Sequence, residues 1–346
     1  MKFGMPWNGP EVAAVAEQAG CAAFCTGDFA DHDAYLQLAE MAKGTRRAEV
    51  GTAIAYAFAR TPYAHATAAR AVHHAAPGRM FLGFGSGARR INRDWFGVPA
   101  DRPIARIKEL LGAVRAYLDA ENGDTVRFSG EFYDIRADIR APVLGRVDMP
   151  LLLAGFNAGM AAAAGEVADG VIGHGLFTTL WWDEVVRPAV ASGRVRSPGG
   201  RPEWLETGWL ITAIDDDDPK RARLDARRMI AFYLTVRTYD PFIAHHGWTS
   251  EVQRIRTAFA ARDTDAMALA VTDDMLSAIA LAGTGEEARR QLAARGAGLP
   301  ADIVFAAPPS YLVSKRRQRD YARASLALIG TGIGGLTSTL PEKRNS

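Results

Sequence analysis

The chain has 346 residues, and its 41 Lys and Arg side chains nearly balance 39 Asp and Glu, for a net charge of +2. The hydrophobic share of 48% and the charged share of 23% are those of an ordinary globular protein, which excludes a disordered, collagen-like or disulfide-dominated chain. The balanced charge argues against nucleic acid as a partner. No apolar run reaches the roughly 20 residues that a membrane-spanning helix needs, so we expect no membrane partner.

The cysteine usage indicates a reducing compartment. Cys21 and Cys25 lie four residues apart at the start of an apolar run, and a disulfide within one strand has poor geometry. We therefore expect two buried thiols in a cytoplasmic protein. The chain enters a strand pattern directly after Met1, without the pattern of a signal peptide.

Short apolar runs alternate with amphipathic stretches along most of the chain. In chain order, the patterns predict a strand at 2–5, a helix at 10–19, a strand at 22–26, a helix at 33–42, a strand at 48–55, a helix at 61–76, a strand at 80–84, a helix at 104–118, a hairpin at 125–135, a strand at 151–154, a helix at 158–168, a strand at 170–173, a helix at 180–191, a strand at 207–214, consecutive helices at 218–281, a helix at 284–295, a strand at 303–306 and a helix at 312–328.

Eight strands separated by helices predict an α/β fold of the (β/α)₈ TIM-barrel type. The helices at about 218–283 form an insertion before the last strand, so that one domain spans 1–330 and a flexible tail spans 331–346. The alternative is a doubly wound sheet with a second helical domain. That fold requires a glycine-rich fingerprint after the first strand, and the sequence there, Met-Pro-Trp-Asn-Gly-Pro, lacks it.

Two glycine-rich segments follow strands, at the barrel end where active sites lie. The first, at 83–87, lets backbone approach a flat ligand closely; its alternative explanation is a tight bend. The second, at 155–159, opens a helix whose free amides suit a phosphate; its alternative is ordinary capping by Asn157. Together they predict a planar, phosphorylated cofactor.

A metal centre is not expected. Asp28, Asp31, His32, Asp33 and His174 include residue types that bind metals. However, no His-x-His follows a strand and no cysteine lies at zinc-finger spacing from a histidine.

Several motifs together resemble one enzyme family. They are Val-Gly-Thr-Ala-Ile at 50–54, Arg-Thr-Pro at 60–62, Pro-Gly-Arg-Met-Phe-Leu-Gly-Phe-Gly-Ser-Gly at 77–87, Ala-Ala-Gly-Glu-Val-Ala-Asp-Gly-Val at 163–171 and Ala-Gly-Thr-Gly-Glu-Glu at 282–287. Most of residues 1–310 resembles the bacterial luciferase-like family of flavin- and deazaflavin-dependent oxidoreductases. Arg106 and Glu109 also lie on the helix where that family commonly has them.

The resemblance implies a TIM-type barrel that binds coenzyme F420 or FMN at the C-terminal strand ends. It implies a non-proline cis peptide in the third strand, which maps to Ala53–Ile54, and a cofactor contact at Asp28. The sequence departs from the pattern at Phe29, where many relatives have His, and at Ala88, where an acidic residue is common. These departures weaken any transfer of a proton donor from the sugar-phosphate dehydrogenase branch.

The sequence thus predicts an F420-dependent oxidoreductase that transfers hydride between the deazaflavin C5 and a small organic substrate, with Asp28, His32 and His174 as acid–base candidates. An FMN-dependent monooxygenase served by a partner flavin reductase, and a non-catalytic flavin-binding barrel, are the alternatives. The resemblance also implies a homodimer, because dimers are common in that family. The aromatic residues of the second half of the chain either form a wall over the substrate or are core or oligomer contacts; they are Trp181, Trp182, Tyr233, Tyr239 and Trp248. The expected cofactor contacts are Asp28, Ala53, Ile54, Gly85, Ser86, Gly87, Arg106, Gly155, Phe156, Asn157, Ala158 and Gly159.

Overall fold

A computed structural model describes residues 1–140, 145–197 and 203–329. Its strands in chain order are β1 (Lys2–Pro6), β2 (Ala23–Thr26), β3 (Glu49–Tyr56), β4 (Met80–Gly85), β5 (Thr125–Ser129), β6 (Asp134–Asp138), β7 (Leu151–Ala154), β8 (Gly170–Gly173), β9 (Leu205–Ile214), β10 (Ala280–Gly283) and β11 (Ile303–Ala307). Strands β9, β11, β1, β2, β3, β4, β7 and β8 pair in that order, and β8 pairs again with β9. These eight strands are all parallel to their neighbours, so the predicted (β/α)₈ barrel is confirmed.

Helices cover the barrel and form the insertion. They are α1 (Pro10–Gln18), α2 (Ala34–Gly44), α3 (Pro62–His73), α4 (Arg89–Asp94), α5 (Pro103–Asp119), α6 (Ala158–Val167), α7 (Thr179–Trp181), α8 (Arg187–Val195), α9 (Pro219–Leu234), α10 (Asp240–His245), α11 (Thr249–Ala260), α12 (Thr264–Leu269), α13 (Asp273–Ile279), α14 (Gly285–Arg295) and α15 (Lys315–Ala324). A π-helical turn at Trp182–Val186 joins α7 to α8, and a 3₁₀ turn at Ala57–Ala59 follows β3.

Local capping explains where several helices begin. Thr61 precedes Pro62 and accepts the amide of Ala64 at 3.2 Å, and Asp33 accepts the amide of Tyr35 at 2.8 Å. Such caps satisfy amides that the first helical turn leaves unpaired. Because α2 and α3 are the first α-helices after β2 and β3, the caps also fix the far ends of the loops at the barrel mouth.

The barrel lumen is packed with apolar side chains. Phe81, Leu152, Ile172 and Phe305 are all nearly inaccessible there. Gly51 makes room for one of the two phenylalanine rings, since a Cβ at this position would lie 2.3 Å from the ring of Phe81. The lumen is therefore a filled core, and ligand space is confined to the strand ends.

The insertion differs in detail from the sequence prediction. The helices predicted at 218–281 end at Ile279, and β10 pairs in parallel with the last four residues of β9. The four residues of β10 are too short to show a pattern that distinguishes a buried strand from a helix. The helix predicted at 180–191 is interrupted by the π-helical turn, and α4 lies in a segment expected to be a loop.

Two further expectations concern the chain outside the barrel. The hairpin is confirmed as the antiparallel pair β5–β6, whereas the tail predicted at 331–346 lies outside the described residues. Within the described ranges, no helix has both the length and the apolar character required to cross a membrane.

Candidate active site

The ends of β2 and β3 are joined through Asp28. Its Oδ2 accepts hydrogen bonds from the Tyr56 amide at 2.8 Å and from Arg60 at 2.7 Å, and its Oδ1 accepts from the Ala34 amide at 2.8 Å and from Arg60 at 2.9 Å. Burial alone would raise the pKa of this carboxyl, but the Arg60 and backbone hydrogen bonds outweigh it and hold the pKa below its ordinary value. Asp28 therefore has neither a proton to give nor an unused oxygen, and we revise its expected acid–base role to one of positioning.

The cis peptide expected at Ala53–Ile54 is present. It lies where the β3–β4 register shifts between Thr52 and Ala55. The Asp28 amide donates to the Ile54 carbonyl at 2.9 Å, so the bulge is joined to the end of β2.

The end of β4 packs against this bulge. A Cβ at Gly85 would lie 2.7 Å from Cδ1 of Ile54, which places the two residues in direct contact. Gly87 has a φ of +68°, and its Cα faces the ring of Tyr56. Ala53, Ile54, Gly85 and Gly87 are thus brought together as the sequence predicts.

The loop after β4 also exposes backbone donors. The side-chain amide of Asn92 donates to the Ser86 carbonyl at 2.8 Å, and the Ser86 hydroxyl donates to the Gly87 carbonyl at 3.3 Å. The amides of Gly87 and Ala88 have no acceptor in the part of the chain that the structure describes. This loop can therefore donate hydrogen bonds to a ligand.

Arg106 lies in the first turns of α5 between two aromatic rings. Its guanidinium carbon is 5.2 Å from the centroid of Phe58 and 5.7 Å from that of Phe132, and its Nη1 donates to the Pro99 carbonyl. The buried Nε has no acceptor among the described residues. Glu109 accepts three consecutive amides of the turn between β5 and β6 and thereby fixes Phe132 beside the arginine.

The segment at 155–159 forms the second set of donors. Asn157 occupies the N-cap position of α6 but makes no side-chain cap hydrogen bond, so the alternative of ordinary capping is wrong. Its Nδ2 donates to the Thr238 carbonyl in the insertion at 3.1 Å. The exposed amides of Ala158 and Gly159 have no acceptor within the described ranges, and Gly159 faces Ile104 at the start of α5.

His174 follows β8 and lies among aromatic rings. Its ring centroid is 5.4 Å from Phe156, 4.6 Å from Tyr233 and 5.2 Å from Tyr239. Burial among these rings lowers the pKa of His174 to about 4. The imidazole is therefore neutral at physiological pH. We call Phe156, His174, Tyr233 and Tyr239 the aromatic wall.

The hydrogen bonds of His174 define its proton position. Nδ1 accepts the Leu176 amide at 3.2 Å, which leaves the proton on Nε2. Nε2 lies 3.4 Å from the Tyr239 hydroxyl. In this arrangement His174 is a neutral hydrogen-bond donor, and its predicted acid–base role stays a prediction.

The predicted aromatic residues divide into two groups. Trp181 and Trp182 are each 3% exposed and belong to the core, and Trp248 packs on Phe242 at 5.7 Å. Only Tyr233 and Tyr239 face His174, and Tyr56 lies near enough to influence the ionisation of both.

His32 lies on the rim, and its contacts in the described part of the chain are with Asp31 and Phe29, not with the aromatic wall. Its Nδ1 is 2.7 Å from Oδ1 of Asp31, and Phe29 beside it contacts the ring of Trp95 at 6.0 Å. The catalytic role of His32 stays a prediction. In the described ranges, no group of three or more His, Cys, Asp and Glu side chains could bind a metal ion.

Comparison with known proteins identifies the family of this chain. The model of the luciferase-like monooxygenases matches residues 8–302 of this chain. The chain belongs to that family. An uncharacterized protein of Mycobacterium tuberculosis is 31% identical over 262 residues, which are 73% of this chain and 76% of the relative. A second protein of that species, whose name proposes a coenzyme F420-dependent oxidoreductase, is 26% identical over 333 residues, 87% of this chain and 91% of the relative.

The luciferase-like fold is also evident in solved structures. The coenzyme F420 dependent tetrahydromethanopterin reductase from Methanopyrus kandleri superposes with a TM-score of 0.76 at 20% identity, over 96% of this chain and 98% of that chain. The fold and the predicted class, a luciferase-like oxidoreductase, are confirmed.

The donors described above fit a phosphorylated, flat cofactor of this luciferase-like class. Four backbone amides, at Gly87, Ala88, Ala158 and Gly159, and the buried Nε of Arg106 have no acceptor among the described residues. Unpaired donors of this kind suit phosphate oxygens. The sequence prediction missed Arg60 as the partner of Asp28, although Arg60 lies in the motif at 60–62.

Proposed function

We propose that this protein is a coenzyme F420-dependent oxidoreductase that transfers hydride between the deazaflavin and a small organic substrate. The observation that carries the proposal is the set of unpaired donors at the barrel mouth beside the Ala53–Ile54 bulge. The 26% identity, over most of both chains, to the relative whose name proposes a coenzyme F420-dependent oxidoreductase favours the deazaflavin over FMN.

Different residues at the barrel mouth would hold different parts of the cofactor. The amides of Ala158 and Gly159 and the guanidinium of Arg106 would hold the phosphate. Ile54 and Gly85 would pack against the ring system. When bound, the reduced deazaflavin supplies a hydride at its C5 carbon.

The remaining residues would prepare the substrate and the proton. The Asp28–Arg60 pair holds the ends of β2 and β3 in place, and the aromatic wall excludes water from the reacting carbon. A carbonyl that accepts a hydride at carbon also takes one proton at oxygen. We assign the supply of that proton to His32, a partly exposed imidazole on the rim that follows β2 and contacts Asp31.

A second candidate is an FMN-dependent monooxygenase, which the description of the matching family favours. It would require a partner flavin reductase. A titration of the purified protein with F420 and FMN in parallel, followed by fluorescence, separates the candidates. Tight binding of F420 with hydride transfer to a substrate under anaerobic conditions is expected. Tight binding of FMN alone would contradict the proposal. If neither cofactor binds, the proposal fails, and so does the alternative of a non-catalytic barrel that carries a flavin.

We propose further that the enzyme acts in the cytoplasm as a homodimer. Both cysteines are buried free thiols, as a reducing compartment permits. Light scattering of the purified protein at micromolar concentration tests the dimer, and a mass of 37.3 kDa for one chain would contradict it.

A further inference from the structure

The structure defines the chemistry of the aromatic wall more closely than the proposed function does. The wall residues come from three elements: Phe156 follows β7, His174 follows β8, and Tyr233 and Tyr239 belong to the insertion. The rings of Phe156 and Tyr239 are 4.3 Å apart. The insertion therefore contributes directly to the surface that a substrate at the mouth would meet.

We infer that the aromatic wall selects a neutral, flat substrate with a hydrogen-bond acceptor such as a carbonyl oxygen, and that the Tyr239 hydroxyl donates to it. The inference rests on the proposed function only in placing the substrate at this mouth. It assigns Tyr239 as a specificity-determining residue.

The direction of the hydrogen bonds supports Tyr239 as the donor. The Leu176 amide occupies Nδ1 of His174, so the Nε2 proton points to the Tyr239 oxygen. Since that oxygen then accepts, the Tyr239 hydroxyl proton is left for another acceptor. The described residues offer none besides His174. An oxygen or nitrogen atom of a ligand could accept the hydrogen bond from the Tyr239 hydroxyl.

The absence of charge on the wall supports a neutral substrate. Burial and the neighbouring tyrosines account for the raised pKa values of Tyr233 and Tyr239, and burial alone accounts for the lowered pKa of His174, with no charged side chain contributing. Arg60 after β3 is already bound to Asp28 and Asp33, and Arg256 is bound to Asp240 beside Tyr239. An anionic group against the four rings would lose its water and find no cation among them to replace it.

Two pairs of shape-matched probes test the inference by binding alone. Benzamide and benzoate differ in charge, and acetophenone and ethylbenzene differ in the carbonyl oxygen. We expect benzamide to bind the wild-type protein at least tenfold more tightly than benzoate, measured by saturation-transfer NMR at pH 7.5. Tyr239→Phe should weaken acetophenone about tenfold, as for one lost hydrogen bond, and leave ethylbenzene unchanged.

Controls separate this result from a folding defect and from the proposed function. Tyr63→Phe removes the hydroxyl of an exposed tyrosine on α3 and should leave all four affinities unchanged, and Tyr239→Phe should retain cofactor affinity. Equal binding of benzoate and benzamide, unchanged acetophenone binding in Tyr239→Phe, or no binding of either neutral carbonyl probe would overturn the inference. If neither F420 nor FMN binds but the probe preferences persist, the proposed function fails and the inference stands.

Discussion

Asp28 and Arg60 form a two-pronged ion pair, with Nη1 2.7 Å from Oδ2 and Nη2 2.9 Å from Oδ1. Arg60 also binds Asp33 at the N-cap of α2, and its guanidinium lies 5.2 Å from the ring of Tyr35. One arginine therefore connects the ends of β2 and β3 with the start of α2. This pair therefore positions Tyr56 at the end of β3 and the loop after β2 that carries His32.

Asp28→Asn should destabilise the protein in a pH-dependent manner. Because the folded-state pKa lies below the ordinary value of 3.8, the carboxylate stabilises the fold above that value, and the contribution is lost as pH falls through the folded pKa. We expect a loss of about 1.5–3 kcal/mol at pH 7, as for a hydrogen bond to a charged group, that shrinks below about pH 4. Urea unfolding at several pH values measures it. Asp31→Asn, at an exposed aspartate, is the control, and an equal loss in both variants would contradict the assignment.

Replacing His174 should alter the dependence of stability on acid. The unfolded imidazole titrates near 6.5 and the folded one near about 4, so between these values the unfolded chain binds a proton that the folded chain does not. The free energy of unfolding should fall with decreasing pH by about 1.4 kcal/mol per pH unit from this group. His174→Gln should remove this contribution to the pH dependence of the free energy of unfolding.

His65 provides an internal comparison for this measurement. Burial likewise lowers its pKa to about 4, and it lies away from the aromatic wall, bound to Tyr35 and the Ala57 carbonyl. His174→Gln should therefore retain the share of the slope that His65 supplies. A slope identical to that of the wild-type protein would show that His174 is not buried as a neutral group.

Arg106→Ala should weaken cofactor binding by about 1.5–3 kcal/mol, because a charged donor to the phosphate is lost. Fluorescence titration with F420 and FMN measures the change. Arg194→Ala is the matched control, since Arg194 also lies over an aromatic ring, 5.0 Å from Trp204, but on α8. Unchanged affinity in Arg106→Ala would remove Arg106 from the phosphate site and leave the barrel assignment intact.

Gly85→Val should block cofactor binding by displacing Ile54, whose Cδ1 lies 2.7 Å from where the new Cβ would be. If the clash with Ile54 causes the loss of cofactor binding, adding Ile54→Ala to Gly85→Val should recover part of the affinity. A double-mutant cycle measures this coupling between the two positions. Gly145→Ala places a Cβ in open space and should change nothing. Normal titration of Gly85→Val would mean that the cofactor lies elsewhere.

The sequence was sufficient for the barrel but not for the partnerships at its mouth. Regular alternation of apolar runs and helices reports the strand order, because each element must bury its own apolar face. Strand β10 was missed because its four residues, all buried, are too few to show a period. The Asp28–Arg60 pair joins residues 32 apart and the His174–Tyr239 contact joins residues 65 apart. Local spacing in the sequence reveals neither pairing, so neither the ion pair of Asp28 nor the hydrogen bond between His174 and Tyr239 could be predicted.

Strand β9 has ten residues, and it serves two purposes along its length. Its first four residues pair with β8 and its middle residues with β11, and both pairings close the barrel, while its last four pair with β10. The insertion is therefore attached through a continuous backbone ladder and not through a hinge. Evolution can exchange the helices between β9 and β10, and with them the two tyrosines of the aromatic wall, without reopening the ring of eight strands.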